Sequence, residues 1–318
     1  MENIQGHEII GHKEIMFKID NSIKMGMFSH AHLIIGEDGI GKSILARRVA
    51  RKILGKEQDR QYADIVEYRI AKGKRSIGIK EVVEEIIVEI NKKPFEADKK
   101  VIIIFEADKM TVEAQNAFLK TIEEPPKGVY IILLSEKIER VLDTIKSRCQ
   151  IHRLQRLDSE NMKIYLRKKY PKLSEEEIQA IVAFSDGNPG RAEKYIEDNS
   201  FKLLRDNVIN ILRDIKNVNS SELLKYEDFL VKNKDQWQEV LTWFLSYIRD
   251  ILMYKETNND SIILNLDKLQ LIKELSSMFS FSKLSDMIDI ISDTKRKLER
   301  NVNTAIVFDI MLLKLHDV

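Results

Sequence analysis

Residues Gly36-Glu37-Asp38-Gly39-Ile40-Gly41-Lys42-Ser43 spell a complete phosphate-binding loop, and this run dictates what must surround it. Gly-x-x-x-x-Gly-Lys-Ser works when a strand delivers it and a helix leaves it. The glycines let backbone N–H groups turn around phosphate oxygens, and the helix adds its positive end. The chain supplies both flanks. Ala31–Ile35 is a short apolar run, and Ser43–Leu54 reads as a helix with Ile44, Leu45, Val49 and Ile53 on its inner side and Gly55 as its stop. In this site Gly36, Gly39 and Gly41 shape the loop, Lys42 supplies charge to the outer phosphates, and the Ser43 hydroxyl can ligate magnesium.

The second half of such a site is a strand ending in an acid that holds the metal. Here that strand reads Val101-Ile102-Ile103-Ile104-Phe105-Glu106-Ala107-Asp108, with Phe105 at the metal position. An apolar ring takes no metal, so magnesium is left with Ser43, the phosphates and water, and phosphoryl transfer should be slow. Glu106 stands where a water-activating glutamate is expected and is a candidate vestigial base. Two alternatives stay open: a vestigial loop without ligand, and a shift of Glu106 or Asp108 into the missing ligand's place. Ser135, closing the run Val129–Leu134, is either a γ-phosphate sensor or a plain loop serine. Arg191, at a helix start after Gly187-Asn188-Pro189-Gly190, either reaches back to the phosphates or lies on the surface, where a cation at a helix N-terminus is unfavourable.

Elsewhere strands and helices alternate. Ala63–Tyr68, Val101–Phe105 and Val129–Leu134 read as buried strands, and Ile79–Ile90 and Val112–Ile122 as helices, with Val82, Val83, Ile86, Ile87 and Ile90 forming the apolar side of the former. That alternation predicts a parallel sheet covered on both faces. From about Arg156 only helical signals remain. Asp158 caps a helix to about Lys169, Ser174-Glu175-Glu176-Glu177 is a capping box, and Gly187-Asn188-Pro189-Gly190 ends that helix before another begins at Arg191. A long period runs through Trp237, Val240, Leu241, Phe244, Leu245, Ile248 and Leu252. Asn258–Ser261 is the expected linker, and Lys283–Leu315 reads as two helices around Asn301-Val302-Asn303.

Composition excludes more than it assigns. Fifty-two basic against 51 acidic residues leave no bulk charge to argue for nucleic acid, so a DNA contact needs a local patch. Lys72, Lys74, Arg75 and Ser76 before one helix, and Lys109 and Thr111 before the next, are the candidates; the competing reading is a solvated basic loop. One cysteine, Cys149, allows no internal disulfide and no multi-cysteine zinc site. The start lacks a signal-peptide pattern and the apolar runs are too short to span a bilayer, so a cytoplasmic protein without membrane contact is expected.

Further motifs carry a resemblance. Lys109-Met110-Thr111, the run Gln115-Asn116-Ala117-Phe118-Leu119-Lys120-Thr121-Ile122-Glu123-Glu124-Pro125-Pro126 and Ser147-Arg148-Cys149 closely resemble the bacterial clamp-loader AAA+ proteins. Ile9-Ile10-Gly11-His12, His30-Ala31-His32-Leu33-Ile34 and Ser76-Ile77-Gly78-Ile79 fit as well. The likeness covers about residues 4–200 and continues more weakly through Arg249-Asp250-Ile251-Leu252 and Arg300-Asn301-Val302-Asn303. It implies an α/β P-loop AAA+ domain with a parallel sheet (1–156), a small helical lid (157–200) and an all-α collar (201–318).

Within the family the chain resembles the delta prime branch of the DNA polymerase III clamp loader, whose ATP sites are often degraded, as Phe105 suggests. The tau/gamma motor branch has a complete metal strand, a Thr/Asn-type sensor and a four-cysteine zinc module. Here the sensor region reads Leu133-Leu134-Ser135-Glu136, and Gly55–Ala63 holds no cysteine, which rules out a zinc site and departs from those delta prime proteins that also carry the module. The resemblance implies a subunit with little or no intrinsic ATPase activity, accessory to the DNA-directed polymerase. ATP or ADP and weakly held magnesium are its cofactors. Tau/gamma and delta subunits of a hetero-pentamer and primed DNA are its partners, and the sliding clamp is one indirectly. By the same resemblance Arg148 is an arginine finger offered in trans to a neighbouring ATPase; by position alone it is a loop arginine. The resemblance also has the collar burying apolar helix faces around Trp237 and Leu313 against neighbours. An active tau/gamma-like motor and a DNA-binding adaptor without nucleotide are the competing functions.

Overall fold

The computed structural model describes residues 10–58, 60–215, 220–300 and 302–318. Ile9, Asn301 and the start of the chain, on which parts of the reading above fall, lie outside the described residues. The chain divides into two compact units, one of residues 1–157 with 188–190 and one of residues 158–187 with 191–318.

The first unit runs α1 (Lys13–Lys24), β1 (Ala31–Ile35), α2 (Lys42–Ile53), β2 (Ile65–Tyr68), a π-helical segment Glu81–Ile86 continuing as α3 (Ile87–Ile90), β3 (Lys100–Ile104), α4 (Val112–Glu123), β4 (Val129–Ser135), α5 (Asp143–Lys146) and β5 (Gln150–Arg153). All five strands are parallel, in the order β2-β3-β4-β1-β5. Successive strand residues face opposite sides, so the apolar strands feed two cores. Leu33, Ile102, Ile104, Ile131 and Leu133 pack with Phe118 and Ile122 of α4, while Ile34, Ile103, Ile132 and Leu134 pack with Leu45, Val49 and Ile53 of α2.

Several local expectations shift. Ile44 is exposed, so α2 buries Leu45, Ala46, Val49, Ala50 and Ile53 instead. The helix expected over Ile79–Ile90 begins as a π-helix with Ile79 and Val83 exposed, its buried side being Val82, Ile86 and Ile90. The second strand starts at Ile65 instead of Ala63. Strand β5 has no apolar run to announce it. It is an edge strand with only His152 buried. Its partner is β1, where His152 Nε2 lies 3.1 Å from His32 Nδ1 and His32 Nε2 lies 2.7 Å from the Ser29 carbonyl. Burial keeps both rings neutral, lowering His152 and pushing His32 down to about 3.

The second unit is helical: α6 (Ser159–Lys169), α7 (Glu175–Ser185), α8 (Pro189–Glu197, its first two residues counted with the first unit), α9 (Asn199–Asp214), α10 (Ser220–Lys232), α11 (Trp237–Thr257), α12 (Leu269–Met278), α13 (Phe281–Glu299) and α14 (Thr304–Asp317). Asp158 caps α6 and Ser174 forms its capping box with Glu177, as their spacing predicts. Pro189 and Gly190 open α8, with proline at the first helical position where its missing N–H costs nothing. The central ring is Trp243, stacked on Phe184 at 3.9 Å, while Trp237 is half-buried. Arg205 is 4% exposed and donates to Asp267, Asn265 and Tyr195. After Asn258 ends α11 in a left-handed turn, the buried Asp250 carboxylate accepts N–H bonds from Leu264 and Asn265. No helix among the described residues is long and apolar enough to cross a membrane.

Candidate functional site

The phosphate loop leaves β1 between two anchors. Gly36 N–H donates to the carbonyl of Ser135, the β4 residue in register with Ile35. Glu37 pairs in bidentate fashion with Arg156. Gly39 and Gly41 hold φ values of 78° and 103°, which L side chains rarely adopt, so glycine is required at both. The Lys42 ammonium donates to the carbonyls of Gly36 at 2.8 Å and Glu37 at 2.7 Å. Burial lowers its pKa, and the carboxylates of Glu136, Asp38, Asp108 and Glu37 oppose that fall. Ser43 follows in the first turn of α2, half-buried, where the amide N–H groups of a helix start have no intrahelical acceptor. Such a loop is a ready cradle for a polyphosphate.

Phe105 follows β3 and is 6% exposed, in the core between the sheet and α2. The Arg69 guanidinium lies over its ring, 3.4 Å from the centroid. Arg69 in turn pairs with Glu67, which Arg47 of α2 grips through two hydrogen bonds. The position at which the sequence pattern expects a metal-binding acid therefore carries an aromatic ring under a cation. Both nearby acids already have partners. Glu106 adopts a left-handed backbone and pairs with Lys109, whose pKa it raises. Asp108 is buried and accepts the Glu136 N–H at 3.2 Å. Among the described residues no group of three or more His, Cys, Asp or Glu side chains is placed to hold a metal.

Ser135 is fully buried, and its hydroxyl has no hydrogen-bond partner among the described residues. By strand alternation it shares the face of Leu133, away from Phe105. Arg191, in the first turn of α8, lies over the Phe184 ring, 5.6 Å from its centroid. Arg148 follows α5. Its Nε donates to Glu123 at 3.1 Å and its Nη1 to the Thr144 carbonyl at 3.1 Å, with about a third of the side chain exposed. Gln115, 1% exposed, supports that region, donating to the carbonyls of Met110 and Arg140 and accepting the Leu142 N–H.

The two groups of basic candidates meet. Ile77 and Met110 form a parallel bridge, with Ile77 N–H on Lys109 O and Thr111 N–H on Ile77 O, so the exposed run Lys72–Ser76 borders Lys109 and Thr111. Lys74 is paired with Glu81, and the Thr111 side chain caps α4 through Ala114 N–H. Arg75 and Ser76 are exposed.

Sequence reasoning missed Arg69, Arg156 and Asn188. A charged residue just past a strand carries no signal of what it will cover. Asn188 gives no local signal either, since Gly187-Asn188-Pro189-Gly190 is accounted for as a helix end and its partner Asp38 lies 150 residues away.

Two family models match the chain. One, described as DNA polymerase III, delta subunit, covers residues 11–158, and one described as DNA polymerase III, delta subunit, C terminal, covers residues 200–317. DNA polymerase III subunit delta' of Bacillus subtilis is 26% identical, with 95% of each chain covered. Its counterpart in Escherichia coli is 24% identical over 94% of this chain and 92% of that one. Subunit tau of Bacillus subtilis is 24% identical over 97% of this chain, but over 61% of its own length. In three dimensions the chain is similar to a DNA polymerase III gamma subunit-related protein from Thermotoga maritima, with TM-score 0.52 and 17% identity over 94% of this chain and 98% of that one. That likeness supports the parallel α/β fold followed by helices.

Proposed function

The chain belongs to the DNA polymerase III clamp-loader family of delta prime, tau and gamma subunits, and from that membership we propose that it serves as a delta prime subunit which does not hydrolyse ATP itself. The observation that carries this reading is the Phe105 ring buried under Arg69 at the metal position. Divalent metal would find a cation where it needs a carboxylate, with Glu106 and Asp108 engaged elsewhere. The loop residues Gly36, Gly39, Gly41, Lys42 and Ser43 can still hold ATP or ADP as a structural ligand, with magnesium weakly bound at most. Ser135 is the proposed contact to the outer phosphate.

In this role the chain works through a neighbour. Arg148 would leave Glu123 for the triphosphate of an adjacent tau/gamma subunit. Exposed ion pairs of this kind are worth about 0–1 kcal/mol, so release costs little. An arginine supplied in trans is worth about 10³–10⁵ in rate. Residues 1–156 would form the AAA+ domain, 157–200 a lid and 201–318 a collar. The exposed Ile306, Ile310 and Leu313 of α14 would then pack on neighbouring subunits of the pentamer. Primed DNA would meet Lys74, Arg75, Ser76, Lys109 and Thr111 through its phosphates, without sequence preference and sensitive to salt.

The test is clamp- and DNA-stimulated ATP turnover by the assembly reconstituted with tau/gamma, delta and the sliding clamp. Arg148→Ala should lower turnover severely and Lys42→Ala barely. The reverse order would mean that this chain's own site hydrolyses ATP, which is the motor reading.

A further inference from the structure

The carbonyl oxygens of Gly36, Glu37, Asp38 and Gly39 all accept hydrogen bonds from outside their own peptides. Lys42 supplies the first two, as described. The other two are supplied 150 residues later in the chain: Asn188 Nδ2 donates to Asp38 O at 2.7 Å and Gly190 N–H donates to Gly39 O at 2.9 Å. Asn188 is 2% exposed. By its contacts the short run Asn188–Gly190 belongs to the first unit, although the chain on either side belongs to the second.

The two backbones touch with no side chain between them. A Cβ on Gly190 would lie 2.5 Å from Gly39 Cα and 3.0 Å from Gly39 O. A Cβ on Gly39 would lie 2.7 Å from Asn188 Oδ1 and 3.0 Å from Gly190 Cα. Gly190 has no positive φ to account for it, so close approach is what requires glycine there. A trans peptide is planar, with its carbonyl and the following N–H pointing opposite ways, so a held carbonyl also fixes the direction of an N–H group. Holding Asp38 O thereby orients Gly39 N–H.

We propose that Asn188 and Gly190 are positioning residues of the phosphate loop: by holding the Asp38 and Gly39 carbonyls, they set the peptide orientations that bind a polyphosphate. The ligand class is an inorganic or nucleoside polyphosphate, and this inference rests on the nucleotide-binding reading above. Neither residue touches the ligand. Each acts on it through the loop.

The experiment is calorimetric titration of the full chain with inorganic tripolyphosphate, which tests the loop without base or ribose, and then with ATP. Each titration is paired with spectra of ¹⁵N-glycine-labelled protein. Wild type should bind, with the Gly39 and Gly41 amide resonances shifting. Asn188→Ala should weaken tripolyphosphate about 3–10-fold, the worth of one net hydrogen bond, and reduce the Gly39 shift. Gly190→Ala should weaken it at least as much. Alanine is the better helix former, so that loss would not come from a weakened α8, and a melting curve checks that the variant is folded. If wild type binds neither tripolyphosphate nor ATP, the nucleotide reading fails and this inference with it. If wild type binds and both variants bind equally well with the same Gly39 shift, this inference alone is overturned, even if the variants melt earlier.

Discussion

Replacing Phe105 with aspartate restores, on paper, the acid of an active site, and the surroundings of the ring predict a different outcome. Phe105 is 6% exposed and packed against the α2 side of the sheet. Removing a buried phenylalanine side chain costs about 3–5 kcal/mol. The new carboxylate would meet the Arg69 guanidinium that now lies on the ring, but that arginine is half exposed, and such pairs return about 0–1 kcal/mol. The balance is a loss of about 3 kcal/mol, which for a unit of this size lowers the melting temperature by about 6–12 °C. With its charge spent on Arg69, the aspartate should leave ATP turnover by the isolated chain unchanged. Phe105→Leu is the control: it keeps an apolar side chain, loses the ring under the cation, and should cost about 1 kcal/mol. Melting curves and a turnover assay with and without magnesium read both effects. An aspartate variant that melts with the wild type and gains magnesium-dependent turnover would refute the reasoning.

Three further outcomes are expected. His32 protonates near pH 6.5 in the unfolded chain but only near about 3 in the fold, so the native state binds fewer protons between those values; about 2 kcal/mol of stability should be lost by pH 5, and denaturant midpoints of wild type and His32→Gln across pH 5–8 check it. Gln115→Ala strands the Met110 and Arg140 carbonyls and the Leu142 N–H, and should destabilise the first unit by about 2–3 kcal/mol in chemical denaturation. Asp267→Ala leaves the Arg205 guanidinium buried without its carboxylate and should cost about 3 kcal/mol, seen as a lower denaturation midpoint of the helical unit.

The strands around the loop were legible because they are buried on both faces and read as unbroken apolar runs, such as Val101–Ile104 and Val129–Leu134. Strand β5 was not, because Gln150-Ile151-His152-Arg153 is an edge strand whose one buried side chain is polar. Helix ends carrying their own caps, such as Asp158 and Ser174, could be placed from spacing alone. The loop's glycines were legible since its geometry demands them, and Phe105 was legible as a departure from a pattern. Arg69 over that ring was not, nor was the seat of Asn188 on the loop. Both are contacts between segments far apart in sequence, set by tertiary packing, with no local periodicity to betray them.

The arrangement around Phe105 also bears on the order in which substitutions can accumulate. Arg47, Glu67, Arg69 and the ring interlock, so each is favourable largely because the others are present. A change to an acid at 105 would first pass through a chain with a hole in its core and a new carboxylate facing the Arg69 guanidinium. Replacing Arg69 first would uncover the ring and strip Glu67 of a partner. Either single step leads downhill in stability without a functional reward. The site is thus held in its present chemistry by its neighbours as well as by its own residue.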